Sequence, residues 1–209
     1  MSTLEKIAYF QGRRDEVPNQ LLAKELAETR NVQGIAEIAE NLENKKKNVR
    51  SDCLKVLYEI GYLRPELIAP YAGDFLKLLE SRNNRLVWGG IIALSTIAEI
   101  AADEVYPHVA EIQRTMEGGS VITVDSGIRT LARLAGTSYE RRATLFPYLI
   151  SHLRTCRPSD VPRHAEMILG AVRGDNKDEF RAVLQARMPQ ITPAQAARLK
   201  KVVRQAEAR

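Results

Sequence analysis

Four small residues recur at a nearly fixed interval along this chain: Cys53, Gly90, Gly127 and Ala165, with spacings of 37, 37 and 38. Four positions after each stands a leucine (Leu57, Leu94, Leu131, Leu169), and three further on an aliphatic (Ile60, Ile97, Leu134, Val172). Self-similarity at a period of about 37 residues is the signature of a repeat array rather than a conventional globular core. Each unit buries its apolar face only by stacking on its neighbours, and the array presents an extended surface.

The triplet has a direct physical reading. Positions i, i+4 and i+7 fall within one narrow stripe of an α-helix. A small residue at i lets a neighbouring helix approach closely, and the two aliphatics fill the groove beside it. A second ladder supports the register. Pro70, Pro107 and Pro147 each follow an apolar pair (Ile68-Ala69, Val105-Tyr106, Leu145-Phe146), spaced 37 and 40 apart. The extra three residues fit an insertion around Thr137 to Arg142. Proline suits a first helical turn, where its missing N–H is not needed. The unit is therefore a helix pair, a proline-marked helix followed by a small-x3-Leu helix.

Approximate helices are expected over 3–11, 18–29, 32–43, 48–61, 65–81, 84–100, 104–117, 120–135, 139–155, 161–173, 176–187 and 193–207. Thr192-Pro193-Ala194-Gln195 reads as a capping box with proline at the first helical position. Gly118-Gly119 and Gly174 read as helix ends. The β-branched run SVITV falls in register just before Gly127, so it is assigned to a helix start. Residues 1–45 match the repeat poorly and read as an N-terminal cap with a degenerate repeat, 46–188 as regular repeats, and 189–209 as a basic C-terminal capping helix.

Charge is uneven. Residues 1–156 hold 20 basic and 20 acidic side chains, whereas 157–209 hold 11 and 6. The whole excess sits in the last quarter, where Arg198, Lys200, Lys201 and Arg204 crowd one segment. They form either the polar outer face of a cap or a surface for polyanions. The two cysteines show no disulfide pattern, the N-terminus lacks the apolar centre of a signal peptide, and no apolar run is long enough for a membrane span. The expected location is cytoplasmic, with no membrane partner.

The segment NVRSDCLKVLYEIG followed by PELIAPYAGDFLKLLESRNN resembles the second helix of one HEAT repeat and the first of the next. The likeness covers residues ~32 to 188. It implies an all-α, right-handed α-solenoid, a HEAT-like superhelix of about five helix pairs plus the C-terminal capping helix, with second helices lining a concave face. If the triplet is buried, positions two before and two after each small residue point away from the core, at roughly 160° and 200° from it. These columns read Ser51, Trp88, Asp125, Arg163 and Lys55, Ile92, Arg129, Met167. Lys55, Arg85, Trp88, Asp125, Arg129 and Arg163 are therefore the candidate partner-binding residues of the concave face. Trp88, the single tryptophan, is either packed between repeats or an exposed anchor. Asp125 and Arg163 either pair across adjacent helices or contact a ligand.

VDSGI at Asp125 and RHA at Arg163 are similar to two segments of the HEAT-like DNA-alkylation-repair glycosylases, whose concave helices carry an Asp and an Arg beside aromatics. Val121 stands here where an aromatic is expected. His152 and Cys156 lie one helical turn apart, with His164 beyond, a pairing able to ligate zinc. No CxxC or HExxH pattern accompanies them, so the expectation is a partly buried thiol and hydrogen-bonding imidazoles, with no metal and no cofactor. No phosphate loop or Ser-His-Asp arrangement is apparent, and no catalytic residue is assigned. The expected function is a non-enzymatic scaffold presenting a concave groove to a protein or peptide. The alternatives are nucleic-acid binding through the groove and the basic helix, and base excision.

Overall fold

The structure, a computed structural model, describes residues 2–209. Among them every regular element is helical: α1 (Val17–Thr29), α2 (Val32–Glu40), α3 (Lys47–Leu63), α4 (Ala72–Leu79), α5 (Asn84–Ile97), α6 (Ala102–Val105), α7 (Val109–Glu117), α8 (Val121–Thr137), α9 (Tyr139–Thr155), α10 (Val161–Ile168), α11 (Lys177–Arg187) and α12 (Pro193–Glu207). The starts of α2, α5, α9 and α12 carry side-chain caps for the orphan N–H groups. The Asn31 side chain accepts from Gly34 N at 2.9 Å, and Ser138 accepts from Arg141 N at 3.1 Å. Thr192 and Gln195 form the reciprocal capping box, with Pro193 at the first position. SVITV opens α8, as its register requires.

The helices group into two compact units, one ending at Gly127 and one running from Ile128 to Arg209. In the first, α3 packs between α1 and α5 to form one row, while α2 covers α3 and α4 covers α5; α6 and α7 pack on α4. In the second, α10 packs beside α12 and α9 beside α11, and each of α9 and α11 covers its following helix.

All twelve positions of the small-Leu-aliphatic ladder are buried. Burying each of the large members is worth about 1.5–3 kcal/mol. The small members are small because backbones meet there. A Cβ on Gly90 would lie 3.0 Å from the Phe75 carbonyl oxygen and 3.1 Å from Leu78 Cβ, so α5 rests almost directly on α4. On the adjoining side, a Cβ on Gly89 would meet the Leu54 side chain of α3. At Gly127 it would collide with the Met116 thioether.

Three expectations fail, each for a local reason. Residues 3–11 are not a helix; they form a single 3₁₀ turn at Leu4–Lys6 followed by turns. Side chains take the N–H groups that a helix would use: Ala8 N donates to Asn19 Oδ1 (2.9 Å) and Tyr9 N to Asp52 Oδ2 (2.8 Å). Proline also does not mark a common helical start. Pro70 and Pro107 sit in 3₁₀ turns, Ala69–Tyr71 and Tyr106–His108, that precede α4 and α7, whereas Pro147 lies inside α9. Finally α10 stops at Ile168 and continues as a 3₁₀ turn, Leu169–Ala171. The Arg173 guanidinium donates to the carbonyls of Gly170 (2.9 Å) and Val172 (2.7 Å), closing that end well before Gly174. Leu169 and Val172 stay buried despite the change in winding.

The close α4–α5 contact yields a stability prediction. Gly90→Leu overpacks the seam and lowers the unfolding free energy by about 1–3 kcal/mol in urea titration. Gly118→Ala, where an added Cβ meets nothing within 4 Å, changes it by less than about 0.5 kcal/mol. Equal midpoints for the two variants would contradict the packing register.

Candidate functional site

The ladder leaves its two flanking columns pointing outward. Ser51, Trp88, Asp125, Arg163, Lys55, Ile92, Arg129 and Met167 are all half-buried, neither core nor fully solvated. In the first unit, the face of α3 and α5 that carries them encloses a depression of about 370 Å³. Its apolar lining is Leu54, Tyr58, Trp88, Gly89 and Ile92, joined by Ile122 of α8. Trp88 is therefore not sealed between repeats; its indole forms part of an open wall. Gly89 lines the depression with bare backbone, and the space its Cβ would need is taken by the Leu54 side chain.

One rim comes from a segment that the repeat pattern does not reach. Arg13, Arg14, Asp15 and Glu16, ahead of α1, close over the α3 end. Lys55 ties them down: its ammonium bonds Glu16 at 2.9 Å and Glu59 at 2.7 Å and lies 4.8 Å from the Tyr58 ring centroid. The Lys55 side chain is only 12% exposed. Burial pulls its pKa down, but the contacts with Glu59, Glu16 and Tyr58 outweigh that effect and hold it above the ordinary lysine value. Below the segment, Asp52 accepts from Tyr9 N and from Asn19 Nδ2 (3.0 Å), and the buried Asn19 accepts from Ala8 N. A carboxylate on the second repeat helix thus anchors the first twenty residues.

The rim charges divide into two kinds. Asp15 is held by Arg13 at 2.9 Å, Glu16 by Lys55 and Asp52 by the amide network. The guanidinium groups of Arg14 and Arg85, both exposed, have no ion-pair partner among the described residues. Of the six residues read from the sequence as one binding face, the structure brings Lys55, Arg85 and Trp88 to this depression. Asp125 is half-buried on the first-unit part of α8 and does not line it. Arg129 and Arg163 belong to the second unit, where Arg163 donates to Asp160 at 3.0 Å. Within that unit Arg198 is engaged by both Glu166 carboxylate oxygens, while Lys200, Lys201 and Arg204 of α12 are exposed. Glu16, Asp52 and Tyr58 were missed from the sequence. The only signal was the charged cluster Arg13 to Glu16 immediately before a helix, and it does not say which repeat the cluster folds onto.

Comparison with known proteins adds the fold class. No protein-family model matches this sequence, and no curated protein does. Solved structures do. A designed armadillo repeat protein in complex with the peptide (KR)4 superposes with a TM-score of 0.68 at 12% identity, over 99% of this chain and 97% of that one. An engineered protein matches with a TM-score of 0.68 at 16% identity, over 100% and 98%. A karyopherin, Kap121p bound to Pho4p, matches with a TM-score of 0.61 at 15% identity over 90% of this chain, which corresponds to 21% of the karyopherin.

The fold is an α-solenoid of the armadillo and HEAT type. A solenoid surface is usually shaped by its repeats alone; here the Lys55–Glu16 contact adds a non-repeat rim. Glu16 is 65% exposed, so breaking the pair costs little global stability, less than about 1 kcal/mol. Glu16→Gln should instead accelerate hydrogen exchange over residues 13–16 with an almost unchanged melting temperature. In the wild type, the raised Lys55 pKa keeps the ammonium's contribution intact through neutral pH. That contribution is lost only as pH rises above the ordinary lysine value of about 10.4. Unchanged exchange in Glu16→Gln would show that Lys55 does not hold the rim.

Proposed function

We propose that this chain is a cytoplasmic, non-enzymatic scaffold that binds an extended peptide or protein segment on the α3–α5 face. The supporting observation is the composition of the depression. An indole, Ile92 and Tyr58 provide an apolar seat, and two unpartnered guanidinium groups stand at its edge. That arrangement suits an apolar anchor residue with an acidic neighbour. The self-paired acids Asp15, Glu16 and Asp52 in the same lining disfavour a phosphate backbone, which seeks a continuous positive stripe. The structural similarity to a designed armadillo protein with a bound peptide supports the peptide-binding part of this reading.

The test is a peptide-array screen followed by calorimetry on the best sequence. Trp88→Ala and Arg85→Ala should each weaken binding by about 2 kcal/mol or more, the loss typical of a truncated hot spot, with circular dichroism unchanged. Affinity should fall only slightly with added salt. Preferential binding of single-stranded DNA or RNA, with a steep salt dependence and no response to Trp88→Ala, would overturn the proposal and favour the basic face of α12. Excision of alkylated bases, abolished by Asp125→Asn, would overturn the non-enzymatic part.

A further inference from the structure

The second unit contains a cluster that the peptide-binding reading does not use. His152 lies in the last turn of α9, Cys156 is the residue that caps that helix, and His164 is on α10. The turn between the helices folds these three donors together. His152 Nε2 and His164 Nδ1 are 2.9 Å apart, with ring centroids at 4.8 Å. One ligand atom from each of the three residues, Cys156 Sγ included, lies within 4.8 Å of the others. His164 is 1% exposed, and His152 and Cys156 are half-buried at the surface side of the cluster.

Two imidazole nitrogens aimed at one another at this separation share a single proton. A metal ion can take that proton's place. We propose that His152, Cys156 and His164 form a binding site for a tetrahedral, borderline-soft divalent cation of the zinc class, with solvent as the fourth ligand.

The donor set selects the ion. Two imidazoles and a thiolate suit zinc and exclude magnesium and calcium, which require oxygen ligands. The geometry requires little movement. Zn–N bonds of 2.0–2.1 Å place two tetrahedral nitrogens about 3.3 Å apart, so the imidazole pair needs to open by only a few tenths of an ångström. The thiol needs a rotation about its own side-chain bond to close its longer gap. On binding, the Cys156 S–H bond breaks, the proton leaves to solvent and an S–metal bond forms. The ring that donated the shared hydrogen changes tautomer, its proton passing through solvent to its other nitrogen, so both rings stay neutral with the hydrogen on the nitrogen that faces away from the ion.

The surroundings hold the backbone that presents the sulfur. The Arg187 guanidinium, itself buried, donates to the carbonyl oxygens of Cys156 (2.5 Å) and Arg154. The Cys156 N–H donates to His152 O at 2.8 Å, so two of the ligands share one helical cap. Burial pushes the Cys156 thiol above its ordinary value, an effect that Asp160 adds to and Arg187 and Arg157 oppose. The free thiol is thus protonated, and the cation must displace that proton. Arg187 lies close enough to favour the thiolate once it forms.

The experiment uses the full chain without a polyhistidine tag, stripped of metal under reducing conditions and titrated with Co²⁺. A site with these ligands gives intense visible bands of tetrahedral cobalt and a thiolate-to-cobalt charge-transfer band in the near ultraviolet, saturating at one equivalent and abolished by Zn²⁺. Cys156→Ser should remove the charge-transfer band. His152→Ala, at a half-buried position, should weaken Zn²⁺ in competition with a chelating dye by more than about tenfold, the least that loss of a supporting group costs elsewhere. Cys53 cannot substitute, since its thiol is fully buried in the small-residue file and is not part of the donor cluster. Absence of tetrahedral cobalt bands in the wild type, or a wild-type spectrum in folded Cys156→Ser and His152→Ala, would overturn the proposal.

Discussion

The contact on which the rest of this structure depends is the near-touching of helix backbones at the small-residue file. At Gly90 the α5 backbone lies against the Phe75 carbonyl of α4, where even a Cβ would sit only 3.0 Å from that oxygen. Gly89, one residue away, brings the same helix onto Leu54 of α3. Two adjacent glycines thus let one helix meet two neighbours closely at once. That costs conformational entropy in the unfolded chain, since glycine in a helix is worth about 0.5–1 kcal/mol less than alanine. The close approach is offset by the aliphatics it allows to seal, with Leu57, Ile60, Leu94 and Ile97 all fully buried.

Once the file is set, the angular geometry of a helix determines what solvent sees. The residues two positions to either side of each small one turn away from the core, and all eight are half-buried. In the first unit they create a shallow seat that is apolar in its floor and charged on its rim. The N-terminal segment completes that seat through Asp52, Asn19 and Lys55, side chains whose partners are supplied by the first twenty residues. Most of the rim charge is consumed in this internal pairing, and Arg14 and Arg85 are left for a ligand. Function in this account is a residue of packing: the site consists of what the repeat cannot bury and the rim does not neutralise.

How much of this was legible in the sequence follows from range. The ladder is a local pattern repeated, so it revealed the helix pairs, the buried file and the outward columns, and the capping box at Thr192 was equally plain. Pro147 was misread because a proline's lost hydrogen bond is tolerated when the flanking turns are packed, as Leu145, Phe146, Leu149 and Ile150 are here. The 3₁₀ end of α10 depends on Arg173, a side chain outside the repeat motif. The rim over the depression was invisible for another reason. Tyr9 meets Asp52 across 43 residues and Lys55 meets Glu16 across the whole of α1 and α2, and no periodicity encodes contacts made once. The donor cluster of His152, Cys156 and His164 lay between these cases: the first two residues were visible as one helical turn, but the turn that delivers His164 was not.

The residue two before Gly90 faces outward because the glycine faces in. Trp88 is the only tryptophan, so its fluorescence reports on that single position. An indole in the wall of an open depression should emit at longer wavelength than a core tryptophan and be quenched readily by acrylamide in the native state. A blue-shifted emission that acrylamide does not quench until the chain unfolds would place Trp88 inside the stack, and the assignment of inner and outer faces would be contradicted.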